Sequence, residues 1–401
     1  MQSRWLILAV LFFARSALGF QFQSIAAISP FLVTELALDY AQLGFLVGVY
    51  MLPGVVISVP GGMLGARFGD KAIALCGLLL MAVGGAVTAL ADQYGMALTG
   101  RLTAGVGAVL LNVLLAKMTS DWFAGREIVV AMAILVTSWP LGIGVALAVE
   151  PTLAAAYSLS LALSATAALA AVSFILIAVV YRAPASGPAP SANAGSPLRG
   201  FTTRELLGAS VAGIVWAIYN VSYILLVTFA PPLLVARGLS AADAGLATSL
   251  ATWTLIVSVP LGGVMIERAA ARSALIAASI VAMAAAIVLV AFLGESRLAI
   301  ALAGFVAGLP AGAIMAMPTG VLKPENRAAG MGVFFTWYYL AMALLPALAG
   351  LLLDLSGDPR MPLLFAAGLG VVTVAAVGAY AVLARTATYA GQGVVSDPGK
   401  R

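Results

Sequence analysis

The chain contains no histidine and a single cysteine, and only 9% of its 401 residues carry a charged side chain. The missing histidines exclude imidazole-based zinc sites and both Ser-His-Asp and Cys-His catalysis. One cysteine excludes a disulfide framework. Cys76 sits inside an apolar run and reads as a small packing residue. The shortage of charge excludes a soluble globular fold, in which about a quarter of residues are charged. Hydrophobic residues make up 63% of the chain, with a mean hydropathy of +1.10. These values describe a polytopic membrane protein whose first partner is the lipid bilayer. The net charge of +5 is spread over many short connections, so it is not a nucleic-acid footprint. No enzyme activity, metal or cofactor is expected.

A membrane-spanning helix needs about 20 mostly apolar residues. Twelve such runs are predicted, at 5–33, 41–65, 72–91, 95–117, 127–149, 157–181, 206–234, 243–266, 273–293, 298–321, 328–353 and 362–384. The first resembles a signal peptide until Arg15 interrupts its apolar core, so it reads as a membrane helix. Between Arg182 and Phe201 runs Ala-Pro-Ala-Ser-Gly-Pro-Ala-Pro-Ser-Ala-Asn-Ala-Gly-Ser-Pro, a polar linker with no means of packing. The expected organisation is a six-helix bundle over 1–182, a cytoplasmic linker over 183–202, a second six-helix bundle over 203–384, and a disordered cytoplasmic tail over 385–401.

Lys and Arg fix the orientation. One set of connections holds Arg4, Arg67, Lys71, Lys117, Arg126, Arg182, Arg199, Arg204, Arg268, Arg272, Lys323, Arg327, Arg385, Lys400 and Arg401. The other holds Arg237, Arg297 and Arg360 beside Glu35, Asp39, Asp92, Glu150, Asp243, Glu295, Asp354 and Asp358. Both termini are therefore expected in the cytoplasm, with the protein in a bacterial-type inner membrane. Small residues four apart, such as Gly44 and Gly48, let helices approach closely. Pro53, Pro140, Pro310, Pro318 and Pro346 fall within spans and should bend or loosen them.

The stretch Gly62-x-Leu64-Gly65-Ala66-Arg67-x-Gly69-Asp70-Lys71 returns about two hundred residues later as Gly263-x-Met265-Ile266-Glu267-Arg268, followed by Arg272. A repeat at half the chain length indicates two related halves. This stretch resembles the loop 2–3 signature of the major facilitator superfamily, G-x-L-A/S-D-R-x-G-R-K. Ala66 stands where the family has Asp, and Asp70 where it has its second Arg. The resemblance implies twelve helices in two bundles, alternating access, a monomer, and a gating role for Gly62, Arg67, Gly69, Asp70, Lys71, Glu267 and Arg268. Arg101-x-x-x-Gly105-x-Gly107-Ala108 is similar to the family's helix-four motif, and Thr137-Ser138-Trp139-Pro140-Leu141-Gly142 loosely resembles an element of drug/proton antiporters. Gly19-Phe20-Gln21-Phe22-Gln23 after Arg15 resembles, at low specificity, a cyanate/nitrate-type branch.

Two cations remain inside spans, Arg15 and Arg101. Arg15 lies eleven residues beyond Arg4, about 16 Å of helix rise, which places it near the midplane. A buried guanidinium needs an anion, carbonyls or a wet cavity. No acidic residue is expected at that depth, because Glu35, Glu150, Glu205 and Glu267 fall at predicted helix ends. An anionic substrate would then complete the pairing. Arg101 shares a helical face with Gly105, Ala108 and Asn112. Carried over from the family, both arginines point into the central cavity, while in many relatives the helix-four arginine bonds a neighbouring helix instead. Trp216, Tyr219, Asn220 and Tyr223, at i, i+3, i+4 and i+7, form one stripe with N–H and O–H donors. Gln21 and Gln23 extend the first helix toward its outer end. Trp139, Trp253, Trp337, Tyr338 and Tyr339 are secondary candidates.

The sequence therefore predicts a secondary transporter for a small anionic solute, bound by Arg15, Arg101, Asn112, Trp216, Tyr219, Asn220 and Tyr223. Two other readings stay open. One is efflux of drugs or hydrophobic compounds by proton antiport, for which a buried carboxylate is missing. The other is a membrane sensor that binds without transporting.

Overall fold

The computed structural model describes residues 3–123, 127–184, 201–293, 296–323 and 326–392. Among them the chain is helical, with twelve segments long and apolar enough to span a bilayer. The first bundle contains α1 (Arg4–Ala27), the short α2 (Ser29–Glu35), α3 (Tyr40–Val49), α4 (Gly54–Phe68), α5 (Asp70–Ala89), α6 (Tyr94–Phe123), α7 (Ile128–Ala156) and α8 (Leu159–Val180). The second contains α9 (Thr203–Ala236), α10 (Ala241–Glu267), α11 (Arg272–Phe292), α12 (Arg297–Gly308), α13 (Ala311–Ala316), α14 (Arg327–Ser356) and α15 (Met361–Gln392). The linker expected over 183–202 falls between α8 and α9, and 185–200 lie outside the described residues, as do Arg126, Glu295, Lys400 and Arg401. The last helix runs to Gln392, into the segment expected to be disordered. Thr386-Ala387-Thr388-Tyr389-Ala390 contains no glycine or proline to stop it.

Prolines act in two ways. Before Pro53 and Pro310 the chain breaks, separating α3 from α4 and α12 from α13, and Pro318 lies in a 3₁₀ turn, Met317–Gly320. Pro140, Pro151, Pro231, Pro232, Pro260 and Pro346 stay inside continuous helices. Each of these lacks the N–H that would bond the carbonyl four residues earlier. Pro151 corrects one expectation. The run predicted to end at residue 149 continues to Ala156, so Glu150 is inside a helix and fully buried rather than in a loop.

The bundles meet mainly on the face opposite the basic connections. There α3 lies against α14 with backbones almost touching: a Cβ at Gly44 would strike the Pro346 carbonyl, one at Gly48 the Ala343 and Met342 carbonyls, and one at Gly350 the Tyr40 carbonyl. At the rim, Asp354 of α14 accepts from the amides of Tyr40 (3.0 Å) and Ala41 (2.8 Å). These are free N–H groups of the first turn of α3, where the helix dipole favours a carboxylate. Beside this seam Gln23 of α1 donates to the Val227 carbonyl of α9 at 3.1 Å, and Gly245 of α10 sits on Leu147 and Pro151 of α7.

The seam's dependence on bare glycine gives a paired test. Gly48→Ala should destabilise the protein by about 1–3 kcal/mol, because the added methyl forces α3 from α14. Gly368→Ala in α15, where a Cβ meets open space, should be neutral or stabilise by up to about 1 kcal/mol through helix propensity. Thermal unfolding of the two variants in detergent checks the opposite signs.

Candidate functional site

Between the bundles, below the closed seam, lies a cavity of about 340 Å³. The first bundle contributes Arg15 from α1, Asn112 from α6 and Trp139 from α7. The second contributes Trp216, Tyr219, Asn220 and Tyr223 from α9 and Tyr338 and Tyr339 from α14. Leu18, Val109, Ile143, Ile224, Leu255, Ile256, Met315 and Phe335 make the rest of the wall chiefly apolar. Such a site holds an apolar ligand body and orients it by a few polar groups.

Arg15 is the only cation in that lining. Its Nε donates to Asn112 Oδ1 at 3.1 Å, and its Nη1 donates to the carbonyls of Leu135 (2.8 Å) and Val136 (3.1 Å). Val136 is four residues before Pro140, so its carbonyl has no helical donor and is open to the guanidinium. Among the described residues no carboxylate pairs with Arg15. Its charge is hydrogen-bonded but not neutralised.

Arg101 does not line the cavity, which corrects the expectation that it points inward. It is 1% exposed. Nε donates to the Leu46 carbonyl (3.1 Å), Nη1 to that of Gln21 (2.5 Å) and Nη2 to that of Phe22 (3.0 Å), and the guanidinium lies 4.4 Å from the centre of the Tyr50 ring. Leu46 is in the last turn of α3, where carbonyls lose their helical donors before the break at Pro53. Arg101 therefore ties α1, α3 and α6 together.

The α9 stripe lines the wall as a unit, but its hydroxyls are engaged. Tyr219 donates to the Ala307 carbonyl at 2.5 Å and Tyr223 to Thr252 Oγ1 at 2.9 Å. Asn220 Nδ2 turns back to the Trp216 carbonyl at 2.7 Å. The indole Nε1 of Trp216 is buried with no hydrogen-bond partner. It is the donor of this stripe that has no protein partner. Gln21 and Gln23 are buried at 1% and 0% exposure, so they seal the outer end of α1 and do not widen it.

Tyr338 and Tyr339 belong to the wall and stand within electrostatic reach of Arg15. Their signal in sequence was the aromatic run Phe334-Phe335-x-Trp337-Tyr338-Tyr339, in which spacing alone does not separate cavity from packing. Trp216 packs against Tyr219, Phe334 and Tyr338, so one aromatic sheet walls the second bundle.

The residues expected to gate lie on the basic face. Gly62 and Arg67 are in α4, and Gly69 is its cap, with φ 91° that favours glycine. Arg67 is exposed, over the Phe68 ring. Asp70 pairs with Lys117 of α6, which also reaches Asp121 at 3.0 Å. Lys71 Nζ donates to the carbonyls of Ala178 (2.7 Å) and Tyr181 (2.8 Å), closing the end of α8. In the second half, the Glu267 carbonyl accepts from Arg272 at 3.0 Å, and Arg268 caps α10. All of these bonds stay within one bundle.

The two arginines should differ on substitution. Arg101→Gln leaves three buried carbonyls short of a donor and should lower stability by roughly 2–4 kcal/mol. Arg15→Gln, beside a cavity, should cost less than half as much. Thermal midpoints of the two variants decide this.

Comparison with known proteins agrees with the architecture. The sequence profile described as Major Facilitator Superfamily matches residues 11–240 and 211–394. The chain is 27% identical over 383 residues to the 3-(3-hydroxy-phenyl)propionate transporter of Escherichia coli (strain K12), covering 92% of this chain and 91% of that one. It is 29% identical over 113 residues to the inner membrane transport protein YajR of the same organism, a match that spans 24% of that protein's length. Among solved structures, the nucleoside transporter NupG superimposes with a TM-score of 0.76 over 95% of this chain and 99% of that one, at 16% identity. A bacterial homologue of the human lysosomal transporter Spinster, inward-facing and unoccupied, gives 0.72 over 99% of both chains at 15% identity. The cyanate/nitrate-type resemblance finds no support among these names.

Proposed function

From the premise that this chain belongs to the major facilitator superfamily, and is a multi-pass membrane protein of the secondary transporter type, we propose that it moves a small organic anion with an apolar body by alternating access. The observation that carries this reading is Arg15, a cation on the wall of a mainly apolar cavity with no carboxylate paired to it. A buried positive charge of this kind is costly until an anion joins it. The unpartnered Trp216 Nε1 supplies a second donor from the other bundle. A carboxylate would meet Arg15 while a ring or alkyl chain lies along Tyr338, Trp216 and Ile224. The named substrate of the relative matched along nearly its whole length, an arylpropionate, has this chemistry.

The bundles meet at the seam opposite the basic face, and the expected gating charges bond only within their own bundles. If the basic face is cytoplasmic, this is an inward-facing state. A ligand touching Arg15 on one bundle and the aromatic sheet on the other would draw the cavity walls together, favouring closure around it. The apolar wall also favours a second reading, efflux of neutral lipophilic compounds, in which Arg15 serves only to hold α1 against α6 and α7.

Thermal stability across a ligand panel separates the two. The panel spans aryl and alkyl monocarboxylates, dicarboxylates, nitrate, phosphonates, and neutral and cationic lipophiles. A ligand at a hundredfold excess over its Kd stabilises the folded state by about 2.7 kcal/mol. The expected result is a raised melting point with arylalkyl monocarboxylates, lost in Arg15→Gln. A response to neutral or cationic compounds alone, unchanged in Arg15→Gln, overturns the anion reading.

A further inference from the structure

Glu150 is not used by the site above and contradicts the expectation that no span carries a buried carboxylate. It lies six residues from the end of α7, is 0% exposed, and neither carboxylate oxygen has a hydrogen-bond partner. A charged carboxylate so placed would carry a large desolvation cost, with no hydrogen bond to offset it and only the charge of Arg101 nearby. Arg101 is the cation within electrostatic reach, but its Nε, Nη1 and Nη2 already donate to Leu46, Gln21 and Phe22. The neutral, protonated carboxyl is the form this environment accepts.

Its position ties that proton to the motion of the bundles. α1 and α7 run parallel: Arg4 at the start of α1 pairs with Glu127 at the start of α7 at 2.7 Å, Arg15 reaches the Leu135 and Val136 carbonyls, and a Cβ at Gly19 would meet the Trp139 carbonyl. Eleven residues and about 16 Å beyond Trp139, Glu150 is level with the α1–α2 junction, where the Ser29 hydroxyl is also buried and unpartnered. Leu147 and Pro151, which flank Glu150 on its own helix, are the residues on which Gly245 of α10 sits. Because α7 and α10 belong to different bundles, opening this face removes the packing beside Glu150 and admits water. No other charge on the packed elements competes. α1 offers Arg15, far down the helix, and Arg4 at its opposite end, paired with Glu127. α10 offers Asp243, exposed in its first turn, and Glu267 at its other end. α6 offers Arg101, at the level of Gln21 and Phe22, with Lys117 and Asp121 more than four turns further away. α8 contributes no charged residue between Leu159 and Val180.

We propose that Glu150 is a proton-linked switch of this face, protonated while the face opposite the basic connections is closed, releasing its proton to water there as α7 and α10 separate and taking one back from the same water as they close. One O–H bond breaks, the electron pair stays on the carboxylate, and the proton passes to solvent on that face. The proposal rests on the alternating-access reading but not on the anion reading. The closed state binds one more proton than the open state, so raising the pH favours opening.

The test is a distance measurement without substrate. In a Cys76→Ser background, spin labels go on Gln93→Cys and Ser356→Cys, exposed positions on the two bundles at this face, in lipid nanodiscs. Between about pH 5 and about pH 9 the wild-type ratio of separated to closed distances should rise by up to about tenfold per pH unit, as one linked proton requires. Glu150→Gln and Glu150→Leu, two neutral replacements, should hold the closed distance across the whole range. A wild-type distribution that does not change with pH overturns the proposal whether or not either variant folds. So does a pH response that persists unchanged in either neutral variant. The ligand panel fails or succeeds separately: an intact pH profile with no anion response removes the anion reading alone, and the reverse removes Glu150 alone.

Discussion

Polar groups inside a bilayer must find partners within the protein, and this structure is organised by how it meets that demand. Proline is the recurring device. Inside a helix it withdraws the donor from the carbonyl four residues earlier, and neighbouring helices use the carbonyls so released. Pro140 frees Val136, whose carbonyl takes Arg15. Pro231 frees Val227, whose carbonyl takes Gln23 from the other bundle. Pro346 frees Met342 and Pro151 frees Leu147, and glycines of the opposing bundle press against both turns. Pro140 and Pro346 were read from the sequence as bends, and like Pro151 and Pro231 they also free carbonyls against which neighbouring helices bond or pack.

The same demand sorts the charges. Arg101 is satisfied by three carbonyls and is structural. Lys117 pairs with both Asp70 and Asp121 within one bundle. Glu205 accepts from Thr202, from the Lys323 amide and from Asn326, fastening the start of α9 to the connection before α14. Among the described residues two ionisable groups within the spans stand apart: Arg15, which lines the cavity with no carboxylate paired to it, and Glu150, whose oxygens accept no hydrogen bond. Incomplete satisfaction is costly in a static protein, and it is useful where the missing partner arrives with a ligand or with water in a second conformation.

The twelve spans and the two-bundle plan were legible because apolar runs of spanning length depend on little beyond local composition. Arg15 and the α9 stripe were legible for a related reason: a cation in an apolar run, and polar aromatics at i, i+3, i+4 and i+7, identify a helix face from one segment. Arg101 was not separable from Arg15 by the same logic. Both are arginines within spans, and what distinguishes them is the convergence of carbonyls from α1 and α3, a tertiary fact. Glu150 was placed in a connection because the apolar run was ended at residue 149, just before Glu150 and Pro151. Proline forfeits one hydrogen bond and does not forbid continuation where packing on both sides holds the helix, as α1 and α10 do here. The free indole N–H of Trp216 also had no sequence signature, since Tyr219 and Tyr223 carry equivalent donors that the fold happens to occupy.

The placement of the two unmet groups has a consequence for how the halves communicate. Both lie on the first bundle, Arg15 in the cavity and Glu150 beside the seam. The aromatic sheet and the α10 backbone that face them belong to the second. A ligand carboxylate at Arg15 acts on the approach of the cavity walls, and water at Glu150 acts on the separation of the opposite face. In the proposed alternating-access cycle these are one motion, because each bundle would turn as a packed body and closing one end would open the other. Arg101 stands between the two levels, bonded to the Gln21 and Phe22 carbonyls of the helix that carries Arg15 and within electrostatic reach of Glu150. The Arg101 cluster therefore stands where it would hold the two groups at a fixed separation, so that on the proposed reading a change in charge at either would bias the same equilibrium.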